Sequence, residues 1–210
     1  MVGEKSLPKG KKFVIGLAGG IASGKSTVAD LLDELGARTI DSDALTTEEL
    51  ADPQVVATFR DWWGQRVCAP DGTINRKVMG DIIFCDPAQR ARMEAFLYPR
   101  LERRRKAMMK QFESDPAVRA IVINAPLLFE VGLDRECDVV VFVDCPRTER
   151  LARLRAKRDW DEAELDRREN LQKPLDIKAQ AADYTVVNNS TIDALRDKVR
   201  PLFDRLISSG

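Results

Sequence analysis

One short stretch constrains this chain more than anything else in it: Gly19-Gly20-Ile21-Ala22-Ser23-Gly24-Lys25-Ser26, which satisfies G-x-x-x-x-G-K-[ST]. It follows the apolar run Phe13-Val14-Ile15-Gly16-Leu17-Ala18 and precedes a segment whose Val28, Leu31, Leu32 and Leu35 fall at helical spacing. A strand, a glycine turn and a helix N-terminus in that order make a cradle for phosphate. The backbone N–H groups turn inward around the oxygens, and the helix end adds partial positive charge. Lys25 is then placed to bridge the β- and γ-phosphates of a nucleotide, and the Ser26 hydroxyl to ligate Mg²⁺. Gly19, Gly20, Ile21, Ala22, Ser23, Gly24, Lys25, Ser26 and Thr27 are therefore the expected nucleotide-binding residues. The competing reading, a glycine-rich turn that binds nothing, leaves the flanking strand and helix as coincidence.

The composition narrows the chemistry further. With no histidine in 210 residues, imidazole bases, His-ligated metals and Ser-His-Asp catalysis are excluded, so acid–base work falls to carboxylates or lysine. Thirty-four basic residues balance 34 acidic ones, which removes any global field toward nucleic acid or an anionic membrane. Cys68, Cys85, Cys137 and Cys145 form no C-x-x-C pair and no zinc spacing, as expected of a reduced, cytoplasmic protein. The basic Lys9–Lys12 stretch with the apolar residues after it superficially resembles a signal peptide, but the run is too short to span a bilayer and belongs to the glycine motif. A monomer or weak homo-oligomer is expected, with a small-molecule substrate.

Strand signals at 13–18, near Thr39-Ile40, at Ala120–Ile123, at Val139–Val143 and at Tyr184–Val187 alternate with helical patterns. They predict a three-layer α/β core with a parallel sheet, carried by residues 12–45, 118–146 and 180–207. Residues 46–117 read as a helical insertion, broken at Pro53, Pro70-Asp71-Gly72, Pro87 and Pro99. An Arg-dense helical stretch runs from Arg147 to about Arg168 inside an expected lid at 147–179, and residues 1–11 read as a loose tail. Of the adjacent Trp62 and Trp63, only one can face a helix core.

A GTPase is disfavoured because N-K-x-D is missing and the D-x-x-G at Asp61–Gly64 lies in helical sequence. A motor or transporter would carry a strong acid where the third strand ends in Asn124. A small-molecule kinase is the leading class. Asp41 and Asp43 stand two apart at the end of the second strand, where extended side chains share a face and ligands bind in such sheets. The alternative is a turn or helix N-cap.

Beyond the phosphate loop and Ile40-Asp41-Ser42-Asp43, further segments follow in order: Pro70–Arg76, Ile83–Pro87, Pro126-Leu127-Leu128-Phe129-Glu130, and Ala182-Asp183-Tyr184 with Asn188-Asn189. Together these resemble the dephospho-CoA kinase family over about residues 13 to 200. The family usually has Gly where Ala22 stands, and His-Pro where this chain has Tyr98-Pro99. The resemblance implies MgATP as donor and dephospho-CoA as acceptor, phosphorylated at the ribose 3′-hydroxyl. It implies Asp43 as the group that accepts or orients the hydroxyl proton, with Asp41 beside Ser26 at the metal. By the same resemblance the 46–117 insertion becomes the acceptor (CoA-type) subdomain, and Arg76, Tyr98, Pro126 and Leu127 become acceptor-site candidates. Kinases of this type close an Arg-bearing lid over the γ-phosphate, with Arg150, Arg153 and Arg158 as candidates; the alternative is a solvated helix face paired with Asp159, Asp161 and Glu162. Arg103-Arg104-Arg105-Lys106 can meet a pyrophosphate or merely solvate a helix. Another metabolite kinase, or a nucleotide-binding regulatory module without turnover, stays open at this point.

Overall fold

The structure is a computed structural model that describes residues 11–208. Apart from Lys11, the tail expected over residues 1–11 lies outside the described residues. Five strands, β1 (Phe13–Gly19), β2 (Ala37–Asp41), β3 (Ala120–Asn124), β4 (Val139–Asp144) and β5 (Tyr184–Val187), form one sheet in the order β2-β3-β1-β4-β5. Every pairing is parallel. Parallel strands need crossover helices on both faces, so their sequences are apolar almost throughout, and β3 is buried at all five positions. The registers Leu17↔Asn124, Asp41↔Asn124 and Gly19↔Val143 bring the carboxyl ends of β1, β2, β3 and β4 to one edge of the sheet, the place for a site in such a sheet.

On one face, Ile15, Leu17, Val122 and Val141 pack against Val28, Leu31 and Leu32 of α1 (Lys25–Glu34). Leu195, Val199, Phe203 and Leu206 of the C-terminal helix (Ile192–Ser208) complete this layer. At the opposite end of the strands, two carboxylates finish the ladder. Asp138 accepts from Val14 N–H (2.9 Å) and Asp183 from Val140 N–H (2.8 Å), while each returns its own N–H to the same residue's carbonyl. Asp183, one of the matched segment residues, thus closes the β4–β5 ladder, far along the strands from their carboxyl ends.

The chain divides into two compact units, 11–42 with 109–208, and 43–108. The second holds α2 (Ser42–Leu50, from its second residue), α3 (Pro53–Trp63), α4 (Arg76–Cys85) and most of α5 (Pro87–Ser114). Asp52 caps α3 through Gln54 and Val55 N–H with Pro53 at the first turn, and Asn75 caps α4 through Val78 N–H. Val55, Phe59, Trp63, Met93 and Leu97 form its core. The boundaries fall at 43 and 108 where the sequence suggested 46 and 117.

Two local expectations are corrected. Pro99 does not interrupt the insertion: α5 runs through it, because Met93 and Leu97 on one side and the ion pairs of Arg100 with Glu49 and Asp52 on the other hold both flanks in place. Conversely, the Arg-dense stretch is two helices, α6 (Arg147–Arg158) and α7 (Glu162–Glu169), since Asp159 takes a left-handed conformation at φ +53° and ends the first. A short helix, α8 (Leu175–Ala181), then precedes β5, and the C-terminal helix is α9.

Candidate active site

The glycine motif forms the turn its sequence requires. Gly24 sits at φ +96° immediately before α1, and a Cβ there would collide with the Asn188 side-chain amide. Ala22 adopts φ +60°, a left-handed position that costs a non-glycine residue about 1 kcal/mol. Three side chains hold this loop from outside. Asn188 donates its amide to Ser23 O (2.8 Å) and its backbone N–H to Asp144 O (2.7 Å). Arg153 donates to Ala22 O (3.2 Å), Ser23 O (3.3 Å) and Asn188 O (3.4 Å). Arg150, only 3% exposed, donates to Ile21 O and Cys145 O, each at 3.2 Å, and is ion-paired with Glu169. Within the loop, Lys25 Nζ donates to the carbonyls of Gly19 (3.1 Å) and Gly20 (3.0 Å), so its charge is held over the turn.

At the carboxyl ends of β2 and β3, Asn124 Nδ2 donates to Asp41 Oδ2 at 2.7 Å and lies 3.5 Å from Ser26 Oγ. Asn124 is 5% exposed and its Oδ1 is buried without a hydrogen-bond partner. A hydroxyl, a carboxylate and an orphaned amide oxygen are hard oxygen donors. They fit Mg²⁺, which takes few protein ligands and keeps several waters. Sequence reasoning selected Ser26 and Asp41 but passed over Asn124, reading it only as a missing acid. Its signal was a polar residue ending a wholly apolar strand next to the glycine loop.

The extended segment assumed for Asp41 and Asp43 is not formed: β2 stops at Asp41 and α2 starts at Ser42, so Asp43 stands exposed in the first turn of a helix. Of the acceptor candidates, Arg76 is the exposed first residue of α4. Tyr98 is 41% exposed on α5, and burial together with the neighbouring Glu94 pushes its phenol up from the ordinary value. Pro126 and Leu127, half-buried, occupy the turn after β3. Trp63 faces the helical core and donates its indole N–H to Gln89 (2.8 Å), while the half-buried Trp62 carries Arg92 4.0 Å over its ring. In the basic run of α5, Arg104 pairs with Glu48 and Glu49, Lys106 pairs with Glu102, and Arg105 is buried.

The three lid candidates separate. Arg150 and Arg153 are at the phosphate loop, whereas Arg158 is exposed at the end of α6, its guanidinium 5.1 Å over Trp160, with Arg168 of α7 4.1 Å from the same ring. Arg147 clasps α6 to α7 through Glu162, Asp166 and Glu169. Beyond α7 the chain returns to the sheet through a buried pair: Lys178, 2% exposed, donates to Glu130 (2.8 Å) and Gln172 (2.9 Å). Glu130 also accepts the Lys173 N–H (2.8 Å); burial opposes its ionisation, but these hydrogen bonds and the Lys178 charge outweigh it and hold the carboxyl below its ordinary range. Among the described residues no cluster of three or more Cys, Asp or Glu side chains is placed to hold a metal, and no helix is long and apolar enough to cross a membrane.

A phosphate loop on β1, a helical insertion after β2 and an arginine-bearing segment after β4 define a P-loop kinase, an enzyme that transfers phosphoryl groups to small molecules. Residues 13–194 match the family described as Dephospho-CoA kinase. The dephospho-CoA kinase of Corynebacterium glutamicum is 37% identical over 195 residues, covering 92% of this chain and 97% of its own. That of Anaeromyxobacter dehalogenans is 39% identical over 199 residues, covering 93% and 90%. The chain belongs to the dephospho-CoA kinase family. Among solved structures, a Thermus thermophilus protein is similar with a TM-score of 0.78 at 26% identity, covering 93% of this chain and 98% of its own. The fold is also that of the Campylobacter jejuni dephospho-CoA kinase, with a TM-score of 0.69 at 20% identity over 93% of this chain and 97% of that one.

Proposed function

We propose that this chain transfers the γ-phosphoryl of ATP to the ribose 3′-hydroxyl of dephospho-CoA, releasing CoA and ADP. The observation that carries the reading is the phosphate loop itself, with Lys25 held over the turn and Asn124 joining Ser26 to Asp41. In it, the loop N–H groups and the α1 N-terminus bind the polyphosphate, and Lys25 leaves the Gly19 and Gly20 carbonyls for the β- and γ-oxygens. Ser26 and Asp41 would hold Mg²⁺, directly or through water. When bound there, Mg²⁺ would supply charge compensation for the transferred phosphoryl group.

Asp43 accepts the proton of the acceptor hydroxyl. A carboxylate suffices there, since phosphoryl transfer depends mainly on alignment and charge stabilisation. It stands in the first turn of α2, at a helix N-terminus. Arg76, Tyr98, Pro126 and Leu127 contribute to the acceptor site, and Arg150, Arg153 and Arg158 to the phosphate side. The ionisable groups of the site are carboxylates, lysine, arginines and a phenol, which accords with a reaction that needs no imidazole.

The test is ADP release from ATP with dephospho-CoA, adenosine, shikimate and gluconate offered separately. Turnover with dephospho-CoA at least 100-fold above the others is expected; comparable rates with another acceptor would overturn the reading. Asp43→Asn is isosteric, so ATP affinity should hold within about twofold while turnover falls by roughly 10²-fold or more. Equal loss of ATP binding would assign Asp43 to structure or metal instead.

A further inference from the structure

Asn124 stands with Ser26 and Asp41 at the site but has as yet no task of its own in the transfer. It ends β3, buried on all sides, with a neutral amide where a carboxylate beside the phosphate loop would add a second negative charge next to Asp41. Its two amide atoms are used unequally. Nδ2 is committed to Asp41 Oδ2 at 2.7 Å and lies 3.5 Å from Ser26 Oγ. Oδ1 is buried with no partner, and leaving such an acceptor unsatisfied is costly enough that most native structures avoid it.

We propose that Asn124 is a positioning residue of the metal shell: its N–H fixes the Asp41 carboxylate, and its Oδ1 accepts a hydrogen from water coordinated to the ion. The register supports both halves. Asp41 and Leu17 are each paired with Asn124 across the sheet, so the amide sits between the strand that leads into the phosphate loop and the strand that delivers Asp41. An amide can donate to one neighbour and accept from another, whereas a carboxylate at 124 could only accept and would repel Asp41. The chain therefore reaches the metal with one carboxylate and one neutral oriented dipole. Loss of such an outer partner typically weakens metal binding by 10- to 100-fold without changing the ligands themselves.

This inference rests on the kinase reading, and its test does not depend on turnover. Mn²⁺, followed by the loss of its free-ion electron paramagnetic resonance signal, is titrated into the full chain with ADP present. Asn124→Ala should weaken Mn²⁺ binding in the ADP complex by about tenfold or more, while ADP affinity in EDTA stays within about twofold of wild type. Unchanged Mn²⁺ affinity, or an equal loss of metal-free ADP affinity, would overturn the proposal, the second by making Asn124 a prop of the phosphate loop alone. Asn124→Asp supplies a near-isosteric check should the alanine variant fold poorly. Its two adjacent carboxylates should lower the metal-free thermal midpoint by about 3 °C or more, and Mg²⁺ with ADP should restore it by a larger increment than in wild type. A midpoint in Asn124→Asp that responds to Mg²⁺ no more than wild type does would also overturn it. The acceptor panel, run on the wild-type chain, decides the kinase reading independently of either variant.

Discussion

The two ends of α6 carry the same residue type in opposite circumstances. At its start, Arg150 is nearly sealed from solvent, its guanidinium spent on the Ile21 and Cys145 carbonyls and on Glu169, and Arg153 one turn on bonds to three more carbonyls. At its far end, Arg158 is exposed and stacked on Trp160, which Arg168 of α7 approaches as well. Burying a guanidinium is tolerable only when nearly every N–H finds an acceptor, so the first pair hold the shape of the phosphate loop. A hydrated, stacked guanidinium gives up little to meet a new anion. Arg150 and Arg153 are thus loop scaffolding, whereas Arg158 is a charge stacked at the surface.

The largest expected effect breaks the scaffold end. Arg150→Ala leaves Glu169 without one buried partner and two backbone carbonyls without donors, so the chain should lose about 3 kcal/mol or more of stability by urea denaturation. A loss under about 1 kcal/mol would mean that the Arg150 contacts are as cheap as a surface pair. Next in size is the far end: if Arg158 compensates γ-phosphate charge, Arg158→Ala should lower turnover by about 10²-fold with stability changed by less than about 0.5 kcal/mol. Turnover within threefold of wild type would return Arg158 to the solvated helix face. Arg153→Ala should weaken ATP binding by about tenfold, because Ala22 and Ser23 then hold their strained turn with Asn188 alone. Calorimetric titration of the nucleotide would check this.

Much of this division was hidden in the sequence for a physical reason. The glycine motif, the five strands and the family segments were legible because each is a local pattern: apolar runs, a turn that needs Gly24, ordered short motifs. What failed were inferences that needed to know where one local pattern yields to another. Asp41 and Asp43 are not two positions of one strand because Ser42 already belongs to α2. Asp159 looked like any helix-exposed acid, yet it ends α6 in a left-handed turn. Pro99 read as a breaker, but tertiary packing on either side carries α5 through it. Asn124 was invisible as a site residue because its role depends on two neighbours, Ser26 and Asp41, that lie 98 and 83 residues away. Nor does any sequence pattern tell Arg150 from Arg158; only burial does.

The smallest predicted effect sharpens what an exposed charge is worth. On α7, hydrogen bonds from Arg167 and Arg168 hold the Glu164 carboxyl at about 2, well below its usual 4.5. A carboxyl whose folded value is depressed stabilises the fold above its unfolded value, and that contribution fades as pH falls from about 4.5 toward about 2. Glu164 is solvent-facing on its own helix, however, and surface pairs spaced three or four apart are worth a few tenths of a kcal/mol once water screens them. Glu164→Gln should therefore shift stability at pH 7 by less than about 0.5 kcal/mol, and the difference from wild type should vanish near pH 2. The same variant releases Arg168, which approaches the Trp160 ring at 4.1 Å, so its turnover tests whether the reaction uses a charge that Glu164 orients. Unchanged turnover together with unchanged stability leaves these pairs as solvated surface contacts of α7; a fall of more than about threefold with stability intact means that Glu164 orients a charge the reaction uses, and gives the exposed end of the arginine series a scaffold of its own.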